Sequence, residues 1–316
     1  MEKYISSWLA AFALSLILCY LLIPLLKRLK AGQNILQYVK EHQKKGGTPT
    51  MGGLAFIFAA VCAALLYCKP LQRETLVTLT IGISYLFVGL LDDLLKRKHQ
   101  ENLGLKAWQK FAFQTLVAIF AGVFCFRSGL TYINGPFLEL RFDVGGWIVP
   151  ISIFVFLATV NGVNLTDGLD GLAANSCVPF FSVFGVLCVV GQYAQLAVFA
   201  FAISGALTAY LLFNTSPASV FMGDTGSLSL GGFGACIGIF SGNALYIAVV
   251  GITFVLSVIS VIVQVIYYKA TGGKRIFLMS PIHHHFQQKG YSEAKISYAY
   301  FAVTLAVGLI CILFAV

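Results

Sequence analysis

The sequence predicts an all-α integral membrane protein with about ten transmembrane helices, a cleft at the cytoplasmic face and a small periplasmic hairpin. Composition is the first reason. Of 316 residues, 59% are hydrophobic and only 10% are charged, where a soluble domain carries about 25% charged residues. Mean hydropathy is +0.86. The second reason is that the apolar residues form runs long enough for helices rather than for barrel strands. The third is that the basic residues crowd into a few of the loops between these runs.

The predicted spans are 5–26, 51–68, 75–91, 108–126, 146–160, 171–190, 194–213, 228–241, 244–268 and 296–316. The first is too long for a signal peptide's apolar core and lacks a small-residue cleavage site, so it reads as a retained span. The eighth is the most irregular, because it is rich in glycine. Residues 127–145, with Asn134-Gly135-Pro136, read as an outward hairpin. Residues 1–316 form a single polytopic membrane domain in this reading, with no repeat and no low-complexity tail.

Charge sets the orientation. Lys27, Arg28, Lys30, Lys40, Lys44 and Lys45 lie in one loop. Lys96, Arg97, Lys98, Lys106 and Lys110 lie in a second, and Lys269, Lys274, Arg275, Lys289 and Lys295 in a third. Together these are sixteen of the 21 basic residues. All three loops follow odd-numbered spans and so share one side, which the positive-inside bias makes cytoplasmic. The chain is then a multi-pass protein of a bacterial cytoplasmic (inner) membrane with both termini outward. This distribution explains the net charge of +9 without nucleic acid. The eight cysteines are scattered, with no CxxC pair, and read as small buried hydrophobes rather than metal ligands.

Five of the twelve acidic residues, Asp92, Asp93, Asp167, Asp170 and Asp224, sit where the chain enters or leaves apolar stretches. Carboxylates at the edge of a bilayer are costly and mark function, with a cation expected beside them. The span count sends all five to the cytoplasmic side, where they can hold a divalent metal and a phosphorylated ligand.

Asp92-Asp93 closes the third span. Neighbours on a helix point about 100° apart, so the two carboxylates cannot do the same work. Each has a basic residue four positions on, Lys96 and Arg97, in the favourable order. Asn161, Asn164, Asp167 and Asp170 recur every third residue, a spacing that drifts about 60° per step on a helix. The interleaved Gly162, Gly168 and Gly171 predict a break that gathers the four around a ligand. Between the seventh and eighth spans lie Asn214, Phe221, Asp224, Thr225 and Ser227. Either Asp224 or Thr225 suits the N-cap of the eighth helix, and that helix start also suits phosphate oxygens. The segment Thr48–Gly53 is glycine-rich and follows Lys44-Lys45, a composition able to clasp phosphate through backbone N–H groups. His283, His284 and His285 are consecutive, which does not suit a single metal ion on a regular helix. Phosphate binding or proton transfer fits them better. Gln264, inside the ninth span, must face protein or water.

At these residues the chain resembles a known family. TPTMGG at 48–53, DD at 92–93, NGVNLTDGLDGL at 161–172, FMGDTGSLSLGG at 221–232 and PIHHHF at 281–286 occur in that order. They are similar to motifs of the polyprenyl-phosphate N-acetylhexosamine-1-phosphate transferase superfamily. TPTMGG and PIHHHF narrow the resemblance to its phospho-N-acetylmuramoyl-pentapeptide transferases. The resemblance implies a Mg2+-dependent enzyme in which undecaprenyl phosphate attacks UDP-N-acetylmuramoyl-pentapeptide, giving lipid I and UMP for peptidoglycan synthesis. It implies catalytic roles for Asp92, Asp93, Asp224 and His283, with Asp224 the metal ligand. It implies substrate contacts at Lys45, Thr50, Lys96, Lys110, Asn161, Asn164, Asp167, Asp170, Asn214, Phe221, Gln264, His284 and His285. It is compatible with membrane lipids as partners and with a homodimer. One departure is Gln287, which stands where an acidic residue often follows PIHHHF. The competing readings are a transferase using another UDP-N-acetylhexosamine and an ion-coupled transporter. Transporter acids belong near the bilayer midplane between inverted repeats, which the edge positions of these five disfavour.

Overall fold

A computed structural model of the chain describes residues 1–29, 47–99, 104–137 and 140–315. It is a helical bundle whose elements follow the apolar runs. These are α1 (Glu2–Arg28), α2 (Gly53–Tyr67), α3 (Arg73–His99), α4 (Ala107–Arg127), α5 (Ile148–Thr166), α6 (Leu172–Val190), α7 (Ala194–Asn214), α8 (Gly223–Phe240), α9 (Ala244–Val250), α10 (Ile252–Ala270), α11 (Ile282–Gln288) and α12 (Glu293–Ala315). Eight of the helices among the described residues are long and apolar enough to cross a membrane. α2 is shorter, at 15 residues, and α8 carries the polar run Gly223–Ser227 in its opening turns. The expected ninth span is divided: α9 ends at Val250 and α10 restarts at Ile252 across Gly251.

α8 is the axis of the bundle. Every residue from Thr225 to Phe240 is buried, and α3, α5 and α2 pack around it. Small residues let the backbones close in, as helix association in lipid requires. A Cβ on Gly53 would collide with the backbone of Gly226, and one on Gly89 with the backbone of Asp224. The opposite, lipid-facing surface is apolar, with Leu9, Ile17, Leu21 and Leu25 of α1 exposed. The cysteines are buried except Cys62, which is half-buried.

The expected hairpin forms from β1 (Tyr132–Asn134) and β2 (Arg141–Asp143), antiparallel, with Ile133 opposite Phe142. It docks on the end of α8, where the Asn134 N–H donates to the Gly242 carbonyl (2.8 Å) and the Asn134 amide to Asn243 Oδ1 (3.1 Å). The 18 residues of α8 separate this end from Asp224 by about 27 Å, at 1.5 Å per residue. That is close to the roughly 30 Å of a bilayer's hydrocarbon layer.

Candidate active site

The opening turns of α8 meet the C-terminal turns of α3 and α5 and the first turn of α4. Carboxylate oxygens of Asp92, Asp93 and Asp224 lie within 4.8 Å of one another. Each has different partners.

Asp93 is taken up by α8. Its Oδ1 accepts the N–H of Asp224 (3.2 Å), and its Oδ2 accepts both the N–H (3.0 Å) and the hydroxyl (2.7 Å) of Thr225. The helix therefore has its N-terminal donors satisfied from another helix. This corrects the expectation that Asp224 or Thr225 is the N-cap: that position is Met222, with no side-chain cap. The Asp93–Arg97 pairing also gives way, since Arg97 donates to the Leu29 carbonyl (2.6 Å).

Asp92 keeps its expected pair. Its Oδ2 lies 2.7 Å from Lys96 Nζ and 4.0 Å from Lys110 Nζ, and its Oδ1 accepts the Leu105 N–H (2.7 Å). Asp224 Oδ2 accepts from Lys96 (3.0 Å) and Lys110 (2.6 Å), while Oδ1 accepts from the Asn164 amide (2.8 Å), which also donates to Ser227 Oγ (2.8 Å). The Asp92 side chain is 3% exposed, whereas Asp224, Lys110 and Lys96 are 13%, 19% and 25% exposed. The cluster thus reaches the surface through Asp224 and the two ammonium groups. Three carboxyl groups face two ammonium groups there. Its oxygen donor set, with Asp93 spent on α8, suits Mg2+, which takes one or two carboxylates and fills its other positions with water and phosphate oxygens. Asp92, Asp93 and Asp224 are the group whose oxygens could hold a metal ion among the described residues.

The break forms at the second and third glycines only: α5 runs unbroken through Gly162 to Thr166, Gly171 has φ +72°, and α6 begins at Leu172, so Asn161 and Asn164 stay on the helix and the four polar residues take separate partners instead of gathering at one point. Asp167 follows the last turn of α5. Burial first, then the charges of Asp224, Asp93 and Asp170, push its carboxyl well above its ordinary value. Asp170 Oδ2 accepts the Ala218 N–H (3.0 Å). Asn161 turns to α4 and donates to Gln114 Oε1 (2.8 Å).

The histidine run forms α11, and its members diverge. His283 is fully buried, and a Cβ on Gly168 would strike its Nε2. The absence of a side chain at 168 is what lets this ring reach the α5 turn. His284 Nδ1 lies 3.0 Å from Gln287 Oε1. His285 Nδ1 accepts the Leu278 N–H (3.1 Å). Gln264 likewise holds this loop, accepting from the N–H groups of Ile276 (3.1 Å) and Phe277 (3.0 Å) and donating to the Phe277 carbonyl (3.0 Å). His285 and Gln264 therefore bind the 276–278 backbone rather than the carboxylates.

Thr50 is buried beside Asp93, both lining the space that a Cβ at Gly223 would enter. The phosphate-clasp expectation fails at the two glycines that follow it: Gly52 N–H donates to the Phe221 carbonyl (2.9 Å) and Gly53 N–H to the Met222 carbonyl (3.1 Å). Phe221 is thereby fixed to 49–52. The Asn214 amide donates to the Val220 carbonyl (2.9 Å), and its buried Oδ1 has no hydrogen-bond partner among the described residues. Lys45 lies outside the described residues. Sequence reasoning left Gln114, Gln287 and Glu293 without a site role. Gln114 was detectable as an amide inside an apolar run. Glu293 was hidden because an acid in a helix's first turn already has a plain explanation in the helix dipole.

A membrane-embedded transferase is the class that this bundle and cluster define. The sequence profile of glycosyl transferase family 4 matches residues 75–242, from α3 through the turn after α8. The first signature of the phospho-N-acetylmuramoyl-pentapeptide-transferases matches residues 45–57. The chain is 41% identical to the phospho-N-acetylmuramoyl-pentapeptide-transferase of Clostridium beijerinckii, over 99% of this chain and 95% of that protein. It is 42% identical to the enzyme of the same name from Clostridium perfringens (96% and 94% covered) and 41% identical to that of Listeria monocytogenes (98% and 97%). The chain belongs to the phospho-N-acetylmuramoyl-pentapeptide-transferase family, within glycosyl transferase family 4.

Proposed function

We propose that the protein transfers phospho-N-acetylmuramoyl-pentapeptide from its UDP-linked donor to undecaprenyl phosphate, yielding lipid I and UMP. The observation that carries this reading is the meeting of Asp92 and Asp224 with Lys96, Lys110 and Asn164 at one end of the bundle. Phosphoryl transfer needs positioning and charge neutralisation more than covalent help, and these residues offer both.

In this reading an oxygen of the lipid phosphate bonds to the β-phosphorus of the donor. The bond from that phosphorus to the bridging oxygen breaks, and UMP leaves with the oxygen. A phosphomonoester is largely dianionic near neutral pH, its second pKa being about 6, so no strong base is required. Lys96 and Lys110 attract the lipid phosphate, and Asp92 orients it through Lys96. Asp93 acts at one remove, by fixing the turn that carries Asp224. Asp224, with Asp92 beside it, would hold a Mg2+ ion, which supplies charge neutralisation to the diphosphate. Asp167, His283 and His284 approach from the α5 turn and α11 and bind the donor's phosphates or receive a proton. Asn214 and Phe221 contact the uridine, and Thr50 supports Asp93.

The site faces the cytoplasm of a bacterial inner membrane with both termini outward, a placement supported by the charge of the loops and by the roughly bilayer-thick distance to the hairpin. Residues 1–316 act as one polytopic domain, supported by a continuous core running from Ala11 to Cys311.

The test supplies purified protein with Mg2+, undecaprenyl phosphate and either UDP-N-acetylmuramoyl-pentapeptide or UDP-N-acetylglucosamine, followed by labelled lipid product. Product from the pentapeptide donor alone is expected. Product from UDP-N-acetylglucosamine instead would assign the chain to a different sugar, and liposome uptake without UMP release would make it a transporter.

A further inference from the structure

Glu293 opens α12, eight residues beyond His285 and outside every motif that carries the family resemblance. Its two carboxylate oxygens face different partners. Oε1 accepts from Gln287 Nε2 (3.2 Å), and Oε2 accepts from the backbone N–H of Asp170 (2.9 Å). Gln287 in turn places Oε1 3.0 Å from His284 Nδ1. One acid thus links α11 to the turn after α5.

The orientation of the chain of bonds follows from donor and acceptor chemistry. An ionised carboxylate only accepts, so the Gln287 amide must turn its NH2 group toward Glu293. Its oxygen is then left for His284. An amide oxygen only accepts, so His284 Nδ1 must carry the hydrogen. The imidazole is thereby held as the Nδ1–H form, with the lone pair of its neutral state on Nε2. That nitrogen faces the α5 turn: a Cβ built on Gly168 would lie 3.1 Å from it. Without the carboxylate, nothing obliges the Gln287 amide to turn its NH2 toward residue 293, and presenting NH2 to Nδ1 instead moves the lone pair to the wrong nitrogen.

We infer that Glu293 is a positioning residue for the transfer reaction, acting through Gln287 to fix the tautomer of His284 and to hold Asp170 in register with it. The departure at Gln287 therefore moves the acid rather than losing it: the carboxylate stands one side chain further from the histidine. This inference rests on the proposed role of the histidines at the donor phosphates.

The test is a swap. Glu293→Gln removes the group that orients the amide, and Gln287→Glu sets two carboxylates against each other. Each single variant is expected to lower kcat about tenfold or more, a partial loss of the roughly 100- to 10,000-fold that correctly placed proton-transfer groups supply, with KM for the UDP donor nearly unchanged. In the double variant Gln287→Glu/Glu293→Gln, the new carboxylate accepts from His284 Nδ1–H and from the new amide, whose oxygen accepts from Asp170 N–H. Every bond is restored with the same tautomer, so kcat is expected to return to within about threefold of the parent, a strong departure from additivity. Full activity in Glu293→Gln, a double variant no better than the product of the singles, or losses that track folded protein alone would overturn the inference. His284→Ala separates this from the larger reading. If that variant is fully active, the histidine's role at the donor fails; if it is inactive while Glu293→Gln is normal, only the positioning role fails.

Discussion

Asp93 holds Thr225 twice, accepting its backbone N–H at 3.0 Å and its hydroxyl at 2.7 Å. This contact joins the end of α3 to the start of α8 and so determines where Asp224 points. Asp92, its neighbour in sequence, instead accepts the Leu105 N–H and pairs with Lys96. The two adjacent carboxylates divide structure from chemistry.

That division is testable by parallel substitution. Asp93→Ala strands the buried donors of Thr225 and is expected to cost about 1–3 kcal/mol, seen as a lower melting temperature in detergent together with reduced turnover. Asp92→Asn is expected to melt near the parent, because Lys96 keeps Asp224 as a partner, while turnover falls by about 100-fold, in the range of a lost orienting or proton-transfer group. Equal effects of the two on melting would remove the distinction.

Gly89 lets α3 approach α8 closely enough for the Asp93 contact to form. A Cβ there would overlap the Asp224 backbone, so Gly89→Ala is expected to destabilise by about 1–3 kcal/mol and to reduce turnover. Gly146 meets only the Phe126 ring, at 3.8 Å, so Gly146→Ala is expected to be silent. Thermal melting of both variants checks the pair.

Asp167 gives a pH signature. Its folded-state carboxyl is raised, by burial first and then by Asp224, Asp93 and Asp170. A raised acid contributes stability that is full below the ordinary carboxyl pKa of about 3.9 and is lost as pH rises through the folded value. Asp167→Asn removes that loss. The variant is expected to melt higher than the parent at pH 8, with the gain shrinking toward pH 5, while turnover falls. Melting curves across that range decide it; a stability loss at pH 8 would contradict the account.

Much of this was legible in the chain. Apolar runs located the helices because lipid forces every backbone polar group to be satisfied within a helix, and the glycines at 168 and 171 foretold the break after α5, whereas Gly162 stays inside that helix. What was hidden depends on partners distant in sequence. No local rule says that Asp93 caps a helix 131 positions away, and Asp224-Thr225 at the start of α8 suggested that it capped itself. Gln264 was readable as facing protein, but its attachment to the backbone at 276–277 required the fold. Gln287 read as a missing acid until Glu293 appeared behind it. The division of the ninth span at Gly251 was invisible because the residues on either side are mostly apolar.

The most direct test is Asp224→Ala, purified in detergent and assayed for UMP release and lipid product across a magnesium titration. The account predicts turnover reduced by at least about 1,000-fold, the scale of a lost electrostatic stabiliser, at any magnesium concentration, with the melting temperature retained. Full magnesium-dependent turnover by this variant would contradict it.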